Sequence, residues 1–280
     1  RMRPRLTPRP TQRSDVDRRP APDPSSSASS GTAIPFVGRR PEIDHLKETC
    51  DRAVAGSPRI LLIAGEAGIG KTRLLREMRP AFEEDASVLF GRCYEGSTIP
   101  YRPFIEILNA CIASHPAAFD GLDANERAVV DRLLARVSTA LAQDLPSGSN
   151  EIALFLAVSN LFLRLAREHP LVLIIDDLHW ADEPSLELLA HLAFAASEAA
   201  AHNATPLLLI TTYRPDDIEG KAGHVLDRLQ REDSCDVLPI SGLGEPDVAH
   251  LVRALGFSRP SHQLVDTIAE ATRGNPLFVQ

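Results

Sequence analysis

The sequence predicts an α/β fold in which helices cover a parallel sheet. Over about 200 residues, short apolar segments alternate with amphipathic helical segments, a pattern that is typical of parallel sheets with helical cover. The clearest apolar segment is LVLII at 171–175, which shows no polar alternation and therefore indicates a strand buried on both faces. Two adjacent carboxylates, Asp176 and Asp177, follow it directly, and an acid at such a place is costly unless a cation meets it.

The elements are predicted from spacing and breaking residues. Residues 42–56 predict a helix, because Leu46, Cys50 and Ala53 share one face and Gly56 suits its C-terminal end. The remaining predicted elements are a strand at 59–64, a helix that ends at Pro80, a strand at 87–93, helices without strands between 100 and 169, a strand at 171–175, a helix at 184–201, strands at 206–211 and 235–240, and two more helices.

Residues 1–33 are predicted to be a disordered linker, because their Pro and Ser content cannot bury enough apolar surface to offset the entropy of ordering. Residues 1–24 carry seven Arg against three Asp, a net charge of +4. The rest of the chain must then carry −12, since the total is −8. An acidic body argues against nonspecific nucleic-acid binding, so we expect no direct nucleic-acid contact by these residues.

The four cysteines are far apart in sequence, without a C-x-x-C pair, and predict inert thiols rather than a disulfide framework or a zinc site: Cys50, Cys93, Cys111 and Cys235. A reducing cytoplasm suits such usage. Since no apolar run approaches the roughly 18 residues of a membrane span, no membrane partner is expected. The chain begins with Arg1 rather than Met, and we expect a fragment of a longer protein.

A phosphate-binding loop follows the first predicted strand. GEAGIGKT, Gly65–Thr72, satisfies G-x-x-x-x-G-K-[ST] and opens onto a helix, so that backbone N–H groups and the helix N-terminus can face phosphate oxygens. Lys71 adds a charge for the β- and γ-phosphates, and the Thr72 hydroxyl can bind Mg²⁺. The predicted phosphate-binding residues are Gly65, Glu66, Ala67, Gly68, Ile69, Gly70, Lys71, Thr72 and Arg73.

The phosphate loop would bring a metal ion close to the two aspartates, which need a cation at the strand end. Asp176 is predicted to hold the Mg²⁺ that Thr72 also binds, and Asp177 to polarise the water that attacks the γ-phosphate. The reverse assignment stays open, because adjacent side chains on a strand point to opposite faces.

Arg214 follows the predicted strand at 206–211 and would lie at the carboxyl edge of the sheet, where ligands of α/β sheets bind. An arginine there can stabilise γ-phosphate charge, although a solvated loop arginine is the alternative. His179 and Trp180 follow the acids, and for both we favour structural packing over chemistry.

These residues together resemble the signal-transduction ATPases with numerous domains, the STAND NTPases. The similarity is to the bacterial AAA-type ATPase module of large LuxR-type regulators, adenylyl cyclases and multidomain Ser/Thr kinases. It covers about residues 34–280 and rests on FVGRRPE, GEAGIGKT, LIIDDLHWAD, TYR at 212–214 and ATRGNPLFV. The resemblance implies a P-loop NTPase whose parallel five-stranded sheet has the order 5-1-4-3-2, with the Thr212 strand between the phosphate-loop strand and the Asp176 strand.

The resemblance also implies roles for single residues. Val37, Gly38 and Arg39 match the segment that secures adenine or ribose, and Pro276 matches the lid proline that packs near the base. Arg214 matches the sensor arginine. The family usually has Glu at the position of Arg40, so this chain lacks whatever contact that acid makes.

The predicted domains are a P-loop ATPase domain at 34–242 and the start of a truncated helical lid at 243–280. The predicted function is Mg-ATP binding and slow hydrolysis to ADP, used as a regulatory switch that closes the lid through Arg214 and Pro276. The expected partners are ATP, sensor and output domains elsewhere in the parent chain, and a possible nucleotide-dependent oligomer.

Three alternatives stay open at this point. The chain could be a small-molecule phosphotransferase, or a module that holds nucleotide without hydrolysing it. A DNA-binding regulator is the third, but no recognition-helix pattern occurs in these residues.

Overall fold

The computed structural model describes residues 34–135 and 149–280. The predicted linker at 1–33 and residues 136–148 of the helical region predicted between 100 and 169 lie outside these ranges. Five strands are described: β1 Arg59–Ala64, β2 Ser87–Arg92, β3 Leu171–Asp176, β4 Leu207–Tyr213 and β5 Cys235–Pro239. Ten α-helices are described: α1 Arg40–Val54, α2 Lys71–Glu83, α3 Arg102–Ser114, α4 Ala124–Ala135, α5 Ser149–Glu168, α6 Glu183–Ala200, α7 Gly220–Leu229, α8 Glu245–Ala254, α9 His262–Thr272 and α10 Pro276–Val279.

The five strands form one parallel sheet in the order β2-β3-β4-β1-β5. Read from the other edge this is 5-1-4-3-2, so the predicted fold and strand order are confirmed. β4 lies between β1 and β3, as expected for the Thr212 strand. Because every strand runs the same way, the phosphate loop after β1 and the carboxylates at the end of β3 meet at the same edge of the sheet.

The core has two layers, one on each face of the sheet. Ile60 and Leu62 of β1 pack with α3–α7, whereas Leu61 and Ile63 pack with α1 and α2. All six residues of β1 and all six of β3 are buried. This explains why both strands are continuous apolar runs in the sequence.

Helix α2 and strand β4 both extend beyond their predicted ends. Helix α2 does not end at Pro80 but continues to Glu83. Pro80 is exposed, whereas Met78 and Phe82 on either side of it are buried in the α1–α2 layer, and this packing offsets the backbone hydrogen bond that a proline removes. Strand β4 extends two residues beyond the predicted end, through Thr212 and Tyr213.

The last three helices, α8 to α10, contact one another. Val248, Leu251 and Val252 of α8 are buried outside the two layers that flank the sheet. Residues Pro35–Gln280 nevertheless form one compact unit, and the division at 242/243 stays a prediction. Among the described residues, none of the helices combines the length and the apolar character that a bilayer crossing needs.

The cysteines are free thiols, three of them buried. Burial is the main cause that raises the thiol pKa of Cys50 and of Cys111 to about 11 and that of Cys235 to about 12. It also raises the pKa of Cys93 well above its usual range.

We expect the folded protein to resist iodoacetamide at pH 8, since the thiolate is the nucleophile and a pKa near 11 leaves about one molecule in a thousand ionised. Mass spectrometry should show less than about a hundredth of the free-cysteine rate. The same sample in urea serves as the control and should react at all four cysteines. Fast labelling of any of them in the folded protein would contradict the expectation.

Candidate functional site

The phosphate loop runs from the end of β1 to the start of α2. Gly68 and Gly70 have φ values of +73° and +105°, in the left-handed region that favours glycine. At Gly65 an added Cβ would lie 2.8 Å from the carbonyl oxygen of Ile240. The three glycines of the motif are therefore required by backbone conformation or by close approach.

Lys71, the first residue of α2, is 6% exposed. Its Nζ donates to the carbonyl oxygens of Gly65 at 2.7 Å and Glu66 at 3.0 Å, so the ammonium group lies within the loop. Burial lowers the pKa of Lys71, and the nearby carboxylate of Asp177 partly opposes this. A buried cation with a lowered pKa is stabilised by any additional anion in the site.

The carboxylate of Asp176 joins the phosphate loop to the tip of β3. Asp176 is fully buried, and the Thr72 hydroxyl lies 2.9 and 3.1 Å from its two carboxylate oxygens. The Thr212 hydroxyl at the end of β4 donates to Asp176 Oδ1 at 2.6 Å. Sequence reasoning missed Thr212. The sequence signal for it is the pair of threonines that follows LLLI. Because Thr211 pairs with Ile175 of β3, the next residue, Thr212, lies beside Asp176.

The second carboxylate points elsewhere. Asp177 has a φ of 60°, which ends the strand, and its backbone N–H donates to the Thr212 hydroxyl oxygen at 2.9 Å. Its Oδ2 accepts from Arg92 Nη2 at 2.7 Å and Nε at 3.2 Å. Of the two acids, only Asp176 contacts the hydroxyl of Thr72, and the assignment of the metal and the water to them stays a prediction.

Arg92 is a second residue that the sequence did not reveal. It is the last residue of β2, in register with Asp176, and is 41% exposed as a side chain. Its hydrogen bond to Asp177 is the main cause that raises the pKa of the guanidinium. Only the adjacency of β2 and β3 brings this arginine to the site.

A cavity of about 310 Å³ opens beside these groups. It brings together Lys71, Thr72, Asp177 and Arg214 as predicted, with Arg214 Nη1 donating to Asp217 Oδ2 at 3.2 Å. The lining residues are Gly68, Gly70, Lys71, Thr72, Arg73, Arg76, Arg92, Asp177 and Arg214. Five of these nine residues have cationic side chains, which suits a strongly anionic ligand.

The FVGR segment contacts the loop from outside the cavity. Val37 is buried, and an added Cβ at Gly38 would clash with the Asp247 carboxylate. The Arg39 guanidinium donates to the carbonyl oxygens of Ile69 at 2.9 Å and Ser241 at 2.6 Å, and also to Glu42 at 3.0 Å. The side chain of Arg39, expected to help secure adenine or ribose, thus bonds to protein groups.

The GNP segment reaches the same loop. Asn275 Nδ2 donates to the carbonyl oxygen of Ala67 at 2.9 Å, and Pro276 begins α10 directly after it. Residues 37–39 and Pro276 are absent from the cavity lining. Their predicted contacts with the nucleotide stay predictions.

His179 and Trp180 form a tilted ring pair, with centroids 5.0 Å apart. Trp180 packs against the core layer that β1 forms with α3–α7. Within the described chain neither ring nitrogen of His179 has a hydrogen-bond partner, and burial lowers its pKa, which favours a neutral ring at neutral pH.

A family model and a curated protein match this chain in sequence. The family model described as an AAA ATPase domain matches residues 35–210. An uncharacterized protein of Rhizobium meliloti (strain 1021) is 30% identical over 200 residues, which are 65% of this chain and 19% of that protein. The chain thus spans about a fifth of the length of this curated relative.

Solved structures with a similar fold share little sequence. A Walker-type ATPase of Pyrococcus abyssi matches with a TM-score of 0.50 and 17% identity, over 87% of this chain and 66% of that one. A STAND protein with a tetratricopeptide repeat sensor from Pyrococcus horikoshii matches with a TM-score of 0.46 and 17% identity, over 92% of this chain and 31% of that one.

Proposed function

This chain belongs to the AAA ATPase domain family, and we propose that it binds Mg-ATP in the cavity beside Lys71 and slowly hydrolyses it to ADP and phosphate. One observation carries the proposal: Thr72 of the phosphate loop and Asp176 of β3 are hydrogen-bonded at 2.9 and 3.1 Å, next to a cationic cavity. The two groups that would hold the metal of a metal-triphosphate site, 104 positions apart in sequence, are thus in contact.

The donor set fits Mg²⁺. The ion prefers hard oxygen ligands and is usually held by one or two protein groups together with phosphate oxygens and water. Thr72 and Asp176 would hold it, and Thr212 would orient the carboxylate of Asp176 through its 2.6 Å hydrogen bond. The metal, when bound, would neutralise charge on the β- and γ-phosphates.

The other side chains have distinct tasks in this proposal. Lys71 would turn from the loop carbonyls to the phosphates, whose negative charge would stabilise its ammonium group. Asp177 orients and polarises the attacking water, and Arg92 fixes the direction of its carboxylate. Arg214, partly exposed at the cavity wall, stabilises charge on the γ-phosphate.

Two measurements test the proposal. Calorimetry of the purified chain with Mg-ATP should register binding, and a phosphate assay without any added acceptor should show multiple turnovers. Release of phosphate only in the presence of an acceptor would make the chain a phosphotransferase, and binding without turnover would make it a nucleotide-holding module.

We further propose that the nucleotide acts as a switch in a longer signalling or regulatory protein of the STAND kind. The support is that the C-terminal segment contacts the phosphate loop through Asn275, so the loop and helices α8–α10 are physically linked. Limited proteolysis with ADP and with ATP should give different protection of residues 243–280. Identical protection with ADP and with ATP would contradict the proposed switch.

Replacement of Thr72 by Val should weaken Mg-ATP binding by about tenfold or more, because it removes the hydroxyl that a metal would contact and leaves the shape unchanged. Thr72→Ser is the matched control, since it keeps the hydroxyl and should bind within a few-fold of the parent. Calorimetry with and without EDTA gives the metal-dependent part. Equal metal dependence of the Val and Ser variants would contradict the role of Thr72.

A further inference from the structure

Two peptide carbonyls of the phosphate loop accept hydrogen bonds from side chains outside the loop. Asn275 holds the carbonyl oxygen of Ala67 at 2.9 Å, and Arg39 holds that of Ile69 at 2.9 Å. Both side chains are almost fully buried, at 2% and 7% exposure. They come from opposite ends of the described chain.

Because a peptide bond is planar, these contacts also orient the N–H groups of Gly68 and Gly70. A trans peptide is planar, so its C=O and the N–H of the next residue point in opposite directions, and no cis bond occurs among the described residues. Fixing the carbonyls of Ala67 and Ile69 therefore fixes the N–H groups of Gly68 and Gly70. Within the described chain neither N–H has an acceptor, and both glycines line the cavity.

Asn275 uses its two side-chain ends for two different tasks. Nδ2 donates to Ala67, while Oδ1 accepts from the backbone N–H of Leu277 at 3.0 Å and caps α10. Leu277 lies against the loop, since a Cβ added at Gly68 would be 2.5 Å from its Cδ2. One buried amide thus joins the first turn of the C-terminal helix to the peptide before Gly68.

We infer that Asn275 is a positioning residue for the nucleotide: by holding the Ala67 carbonyl it aims the Gly68 N–H into the cavity, toward the phosphates. This rests on the proposed function, because it names a residue that sets the affinity of the same site. Asn275 touches no nucleotide in this scheme and acts through the loop. It also ties phosphate affinity to the place of α10, since the same amide caps that helix.

The two functions of the amide can be separated by substitution. Asn275→Ser and Asn275→Asp both keep an oxygen that can cap α10, because Ser and Asp are good N-cap residues. An ionised Asp has no donor for the Ala67 carbonyl, and the Ser hydroxyl ends one bond short of the position of Asn275 Nδ2. Ser261→Ala is the matched control. It removes the cap of α9, where Ser261 Oγ accepts from the Leu264 N–H at 3.2 Å, and it makes no contact with the loop.

Calorimetry with Mg-ATP on the 280-residue chain, with thermal unfolding in nucleotide-free buffer, tests the inference. Both Asn275 variants should raise Kd by roughly tenfold, with the Asp variant at least as weak because its carboxylate faces a carbonyl oxygen. Ser261→Ala should lower Tm by roughly 2–4 °C and leave Kd within about twofold. Parent-like Kd values in both Asn275 variants, or an equal loss in Ser261→Ala, would overturn the inference. If the parent chain itself binds no Mg-ATP, the proposed function falls as well, so the two failures are distinguishable.

Discussion

Replacement of Lys71 by Met is expected to abolish detectable Mg-ATP binding without destabilising the fold. Truncating one partner of a buried charge interaction costs about 2–5 kcal/mol, so Kd should rise by roughly 30-fold or more. Burial lowers the pKa of Lys71, which means that the folded protein disfavours the charged form in this structure. Met keeps the length and removes the buried charge, so the Tm measured without nucleotide should be unchanged or higher.

The control for this prediction is Lys47→Met, because Lys47 lies exposed on α1 and lines no part of the cavity. Its Kd and Tm should both match the parent. Calorimetry and thermal unfolding of the three proteins give the comparison. A Lys71→Met protein that binds Mg-ATP within tenfold of the parent would show that the phosphates do not lie beside this lysine.

Most of the fold could be predicted because its signals are local. An apolar run such as 59–64 or 171–175 marks a strand buried on both faces, and the glycine spacing of the phosphate loop marks the turn between β1 and α2. The error at β4 has a related cause. Thr212 and Tyr213 lie beyond the predicted end at residue 211, yet both are buried because the strand continues to the site.

The part of the site that could not be predicted depends on which strands are neighbours. Arg92 reaches Asp177 only because β2 lies beside β3 in register, and Thr212 reaches Asp176 only because β4 lies on the other side. The hydrogen bond from Asn275 to Ala67 spans 208 positions, and no spacing rule relates residues so distant in sequence. The resemblance placed Arg39 near the nucleotide, but it did not indicate that its guanidinium would bond to the loop.

Replacement of Asp177 by Asn is expected to stop turnover and leave binding intact. A positioned acid or base contributes about 10²- to 10⁴-fold to rate, so kcat should fall by that factor, while the Kd for Mg-ATP stays within a few-fold. The backbone should tolerate the change, since Asn accommodates a φ of 60° well and its amide oxygen can still accept from Arg92. Binding measured by calorimetry and phosphate release measured in a single turnover separate the two quantities.

The matched control is Asp131→Asn, which removes a carboxylate that pairs with Arg127 on the exposed face of α4 and should leave kcat unchanged. Asp176→Asn gives a contrasting result in the same assay, because Asp176 faces Thr72 and its loss should first weaken the metal-dependent part of binding. If Asp177→Asn hydrolyses ATP at the parental rate, the water is activated elsewhere and Arg92 holds a carboxylate with only a structural task. If it loses binding and turnover together, Asp177 supports the site rather than the chemical step. Only loss of turnover with retained binding assigns the two adjacent acids at the end of β3 to different steps, as the separate hydrogen-bond partners of their side chains indicate.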